Sequence, residues 1–215
     1  MDAVKGRLLT STSTDFLVGC RLRELAGLPF GALVKVPWLT DTPETGELYG
    51  LVAWVRVPES SMARQMAVQS SPPPPGVRQD QAATSEPAEV RVLVVGYRRG
   101  PRVHHLLPPY PPRPLAELTL CGPSEVVAFT QEGRLGYLRH ILRATDLPMP
   151  ELLAAHLRQA HEAHVHHGNP DWVHAAVQRV IHLLRDDPPT LLWVLDALSD
   201  ALPEALAEVK AGTAG

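Results

Sequence analysis

The chain has 215 residues, 45% of them hydrophobic and 20% charged, with a formal net charge of −3. That length bounds it at one or two domains, and the apolar share is enough for a buried core. The charge balance excludes a disordered polyelectrolyte and a strongly basic nucleic-acid binder. Proline, at 22 residues, stands at about twice its usual share of about 5%. Eight of the ten histidines lie from His140 onward, and the only lysines are Lys5, Lys35 and Lys210, against 17 arginines.

The first half reads as short strands. Gly6–Thr10 begins one, and Asp15–Leu22 follows a Ser/Thr turn. Ala32–Val36, Leu48–Val57, Val90–Tyr97 and Val103–Leu107 complete about six. Each run is rich in β-branched residues and bounded by Gly, Pro or Asp. Val34-Lys35-Val36 and Val55-Arg56-Val57 alternate apolar and basic, as a strand with one wet face does. The turn at Arg98-Arg99-Gly100-Pro101 suits a hairpin. Six short strands with Gly-marked bends point to a small closed barrel, whose closure removes sheet edges.

Proline punctuates this pattern. A Pro-rich insertion at 70–88, with Pro72 to Pro75 in sequence, has no composition for a core and is expected as an exposed, disordered loop between two strands. A helical turn is expected just before it, at 61–66. Pro108-Pro109-Tyr110-Pro111-Pro112 cannot continue a central strand, because proline has no amide donor. Residues 108–118 therefore read as an extended linker, with the barrel at 1–107 and a helical region at 119–212. The charge splits at the same place: residues 1–120 carry a net +2 and residues 121–215 a net −5.

From there the hydrophobic period becomes helical, which makes the fold class α+β. Helices are expected over Ser124–Thr130 with Ser124 as cap, over Leu135–Ala144, and over Pro150–His166. A further one follows the start signal Asn169-Pro170-Asp171, and the last follows Asp187-Pro188-Pro189. Leu191, Leu195, Leu198 and Leu202 recur at spacings of a bundle seam, which packs internally or joins copies of the chain in a homo-oligomer. Pro203 should kink or restart that helix.

No membrane-spanning run of about 18 apolar residues occurs, and the first residues lack the apolar stretch of a signal peptide. Cys20 and Cys121 make neither a disulfide framework nor a zinc motif, so the chain reads as cytoplasmic with reduced thiols. No segment matches Gly-x-x-x-x-Gly-Lys-Ser/Thr, Gly-x-Ser-x-Gly, His-Glu-x-x-His or Gly-x-Gly-x-x-Gly. No catalytic residue and no cofactor is therefore expected. The alternative is a metal-dependent enzyme using the His156–His167 cluster, in which His161, His164 and His167, at i,i+3 spacings, are the candidates for a metal, beside a bland reading as a polar helix end. Arg91, Arg98, Arg99 and Arg102 are the candidates for a nucleic-acid or partner contact, with few aromatics nearby to stack on bases.

The layout of the first ~110 residues resembles a HAS barrel, the small β-barrel shared by HerA-type DNA translocases and the N-terminal crowns of rotary ATP synthases. The resemblance rests on the opening strand and Ser/Thr turn Gly6–Thr14 running into Asp15–Val18, then Phe30-Gly31-Ala32-Leu33-Val34-Lys35-Val36-Pro37, then Tyr49-Gly50-Leu51-Val52, and a late strand pair before a proline-rich exit. The whole chain is similar to stand-alone bacterial proteins of this kind, in which a short helical region such as Ser124–Thr130 replaces the motor. The resemblance implies a role without a reaction: an accessory of a HerA/NurA-like DNA-processing machine, acting in repair or end resection. A HerA-like ATPase or NurA-like nuclease is the implied partner, and contact with nucleic acid is indirect.

Overall fold

In a computed structural model, residues 4–39, 45–58 and 87–204 are described. The insertion expected at 70–88 lies outside them up to residue 86, as does the helical turn expected at 61–66. Its last two residues, Pro87 and Ala88, already belong to a strand.

Seven strands form one antiparallel sheet: β1 (Val4–Ser11), β2 (Asp15–Arg21), β3 (Leu33–Leu39), β4 (Thr45–Arg56), β5 (Pro87–Arg99), β6 (Arg102–His104) and β7 (Glu117–Leu120). Their order is β2-β1-β7-β3-β4-β5-β6, and β2 also pairs with β5. That last pairing, from Asp15↔Leu93 to Arg21↔Pro87, closes a ring of six strands and removes its free edges. Register shifts in β1 and β4 bend the strands around the ring. Pro37 is tolerated in β3 because β7 pairs only with Val34 and Lys35, so the ladder on that side has ended before it.

The ring has the expected six strands, but one of them is not the one the sequence suggests. The Val103–Leu107 run contributes only the short β6, a hairpin extension on β5. The sixth wall is β7, which joins β1 to β3 after the proline segment. The barrel thus reaches Leu120, beyond residue 107. The intervening prolines are a strap held against the barrel: Ser11 Oγ donates to the Pro112 carbonyl at 2.7 Å, Trp38 Nε1 to the Tyr110 carbonyl at 3.0 Å, and the Leu8 amide to the Ala116 carbonyl at 3.0 Å.

Five helices follow: α1 (Pro123–Gln131), α2 (Leu138–Leu142), α3 (Met149–His166), α4 (Trp172–Leu183) and α5 (Pro188–Ala201). Their caps differ in detail from the sequence signals. At α1 the cap is Gly122, whose amide donates to Glu125 Oε2 at 3.0 Å, and Ser124 lies inside the first turn. At α4 the cap is Asp171 instead of Asn169. At α5 Asp187 accepts from the Thr190 amide at 3.2 Å, with Pro188 at the first helical position. Leu202, just before Pro203, leaves helical geometry at φ −138° and ψ 53°.

Alternation along the strands sorts the apolar residues into two cores. Leu8, Phe16, Val18, Val34, Val36, Leu48, Val52, Val90, Val92, Val94 and Leu118 fill the barrel. Leu33, Tyr49, Leu51, Ala53, Leu93 and Val95 face outward from β3, β4 and β5 and are covered by the helices. Strands buried on both faces read as unbroken apolar runs, which is why Leu48–Ala53 and Val92–Val95 do not alternate with polar residues.

Candidate functional site

The junction between the barrel wall and the helices holds most of the buried polar chemistry. Gly31 sits at φ +82°, in the turn entering β3, and a Cβ there would lie 2.7 Å from the His156 backbone nitrogen and 2.8 Å from the Ala155 Cβ. Only glycine lets this turn lie directly on α3. The Gly31 carbonyl accepts from His156 Nδ1 at 3.1 Å, which leaves Nε2 to accept from the Tyr137 hydroxyl at 3.0 Å. Burial lowers the His156 imidazole to about pKa 4 and raises the Tyr137 phenol, so both are neutral across the physiological range.

A second tie runs through His105, just past β6. Its Nε2 donates to the Phe129 carbonyl at 3.0 Å, its ring packs on Phe129 and Tyr137, and burial lowers it to about pKa 4. The His105 carbonyl in turn accepts from Arg139, and from His140 Nε2 at 3.3 Å.

A third tie is ionic. Glu47 on β4 takes Arg98 of β5 at 2.8 Å, Lys35 of β3 at 3.4 Å, and the Tyr49 hydroxyl at 2.9 Å. Lys35 also bonds Glu125, the residue that caps α1. Burial works against the charged form of Glu47, but the hydrogen bonds of Arg98 and Tyr49 and the Lys35 charge overcome it and hold the carboxyl below its usual range. Charge on the barrel wall thereby fixes where the first helix starts.

Of the three histidines proposed as metal ligands, His164 and His167 are each committed to hydrogen bonds of their own. His164 is fully buried, with its ring stacked 4.3 Å from that of Trp172. The Thr130 hydroxyl donates to the Val126 carbonyl at 2.8 Å, so it accepts from His164 Nε2 at 2.7 Å. Burial lowers His164 to about pKa 4. His167 donates through Nδ1 to the Ala163 carbonyl at 2.8 Å and meets the Ser124 hydroxyl with Nε2 at 3.1 Å. His161 is half-buried on α3. Among the described residues, no group of three or more His, Cys, Asp or Glu side chains is placed to hold a metal ion. His156, in the same cluster, is bonded through both ring nitrogens, and its partners Gly31 and Tyr137 are 125 and 19 positions away.

The four arginines are split in the same way. Arg91 is paired with Asp15 at 2.5 Å and with Asp146 at 2.5 Å, and Arg98 with Glu47. Arg99 and Arg102 stay exposed at the tip of the β5–β6 hairpin, where they face each other in the ladder.

Two concavities lie on the helical side. One of about 370 Å³ lies at the junction, lined by Ala32, Leu120, Cys121, Val126, His156 and Gln159 among others. The other, of about 790 Å³, is a trough between α3 and α5 that contains the exposed Trp193. Sequence reasoning followed the leucine stripe of α5, of which Leu198 and Leu202 are buried, and passed over its other face. The signal there was Trp193, an apolar residue set off that stripe.

No helix among the described residues is long and apolar enough to cross a membrane. No protein-family model matches the chain, and no curated protein matches it.

Proposed function

We propose that the chain is a non-catalytic interaction module, an accessory of a HerA/NurA-like DNA-processing machine. The observation that carries this reading is how its polar side chains are used at the barrel–helix junction. His156 spans Gly31 and Tyr137, His105 holds Phe129, and Lys35, Glu47, Arg98 and Glu125 form one ionic chain. Each holds one element on another, which suits a rigid adaptor whose work is done at its surface. The HAS-like layout supplies the class of partner: a HerA-like ATPase or a NurA-like nuclease.

Co-expression of this chain with the HerA-like ATPase and the NurA-like nuclease of the same genome tests the reading. The expected result is a complex with at least one of them that survives size exclusion. No association with either, under conditions where those two bind each other, would remove the proposal. A second reading, direct nucleic-acid contact, is favoured by the exposed Arg99 and Arg102 on one hairpin. Binding of single-stranded DNA that falls steeply with salt and drops on R99A/R102A is its signature.

A further inference from the structure

The trough between α3 and α5 is walled by one stripe from each helix. From α5 come Trp193, Asp196, Ala197, Asp200 and Ala201, at i, i+3, i+4, i+7 and i+8. From α3 come Glu151, Ala154, Ala155 and Arg158, with Phe30 closing the floor. Eight residues of helix rise about 12 Å, the length of roughly two helical turns. Alanines at the bottom let a third backbone come close, as ridges-into-grooves packing requires. Trp193 is 69% exposed, so a large apolar side chain of the lining stands uncovered at this edge.

The charges choose the occupant. Glu151, Asp196 and Asp200 are all exposed against the single cation Arg158, in a half of the chain whose net charge is −5. None of these carboxylates forms an ion pair with a described residue. A second copy docked here across a twofold axis would bring acids against acids. A helix with leucine-type anchors at i, i+3 or i+4 and i+7, flanked by lysine or arginine, matches both the apolar floor and the acidic rim. We propose that this trough is the docking site for a basic amphipathic helix of a partner protein, with Trp193 as its anchor. The proposal rests on the interaction-module reading and gives it a surface and a partner chemistry.

The test uses the full chain and two labelled synthetic 18-residue helical peptides with the same leucine pattern, one flanked by lysines and one by glutamates, followed by fluorescence anisotropy. The lysine peptide should bind at least tenfold more tightly than the glutamate peptide. Its affinity should fall tenfold or more on Trp193→Ala and again on D196K/D200K, with thermal unfolding of the variants unchanged because these side chains are exposed. Equal affinity for the two peptides, no binding of the lysine peptide, or binding indifferent to both variants would overturn the proposal. So would a concentration-dependent dimer abolished by Trp193→Ala, which would make a second copy the occupant. Lysine-peptide binding seen only after deletion of residues 205–215 would assign the trough to the chain's own C-terminal segment and would also overturn it. If an ATPase or nuclease complex forms and Trp193→Ala leaves it intact, the interaction-module reading stands and this assignment of its surface fails.

Discussion

The two cores of this molecule are built on different rules. The barrel interior is aliphatic with a few aromatics, while the four buried polar side chains among the described residues, His105, Thr130, His156 and His164, lie in the layer of the helices. A closed barrel satisfies its backbone groups by strand pairing, so its interior needs only volume and shape. Helices laid on an outer wall have no ladder to set their position. Here they are placed by side chains that bond to backbone carbonyls across the junction, as His156 does to Gly31 and Gln159 does to Phe30 at 2.8 Å. Buried hydrogen bonds of this kind penalise every other docking geometry, because a shifted helix would leave them unmade.

The strongest way to break the comparison is to cut one phenylalanine from each core. Phe16→Ala in the barrel and Phe129→Ala beneath the helices should each cost about 3–5 kcal/mol. Hydrogen exchange should separate them. Phe16→Ala is expected to lower protection everywhere, Phe129→Ala to lower it in α1 to α5 while β1 and β2 keep theirs. Equal loss in β1 and β2 would show one cooperative unit and abolish the distinction.

Mild acid should act first on the helical layer. His105, His156 and His164 are held neutral down to about pH 4, against a usual value of 6.5 for the unfolded chain. The unfolded state therefore binds more protons between those values, and stability falls as pH falls from about 6.5 to about 4. For His156 alone the difference amounts to about 3 kcal/mol. Urea midpoints across this window give the size of the effect, and His156→Gln should flatten part of the slope. An unchanged slope would mean that the buried imidazole is not what titrates.

Gly31→Ala addresses the same junction by shape. A Cβ would press on the α3 backbone from a positive-φ turn, with an expected loss of about 2 kcal/mol in thermal or urea unfolding. The ionic tie is the weakest of the set. Glu47→Gln should cost about 1–2 kcal/mol, since Lys35 and Arg98 are only partly screened by solvent, and the loss should shrink at high salt. An effect independent of salt would point to lost packing instead of lost charge.

Much of the fold was legible along the chain. Five of the six ring strands and all five helices carry local signals: β-branched runs between Gly and Pro, and an apolar stripe such as Trp172, Val173, Ala176, Val177 and Val180 on α4. β7 was not legible. It has only four residues, follows a run of prolines, and earns its place by pairing with β1 and β3. The candidate site was less legible still. His161, His164 and His167 share a spacing that suggests a metal, but His164 is turned inward onto Thr130 and Trp172, and helical spacing alone cannot say which face meets a core. Arg91 and Arg98 look like a basic patch in sequence because their partners Asp15, Asp146 and Glu47 lie 76, 55 and 51 positions away.

By itself, then, the sequence determined the periods and the breaks: a strand half, a helical half, and prolines marking the turns between them. Those features are local, set by backbone sterics and side-chain alternation over a few residues. Tertiary structure decided what long-range pairing decides. It chose which strand completes the ring, which outer wall the helices cover, and which polar groups are spent on that contact. It also left Trp193 exposed beside an acidic trough, because Val194 and Leu198 of α5, with Leu202 at its end, are turned onto the shared core and Trp193 points away from it.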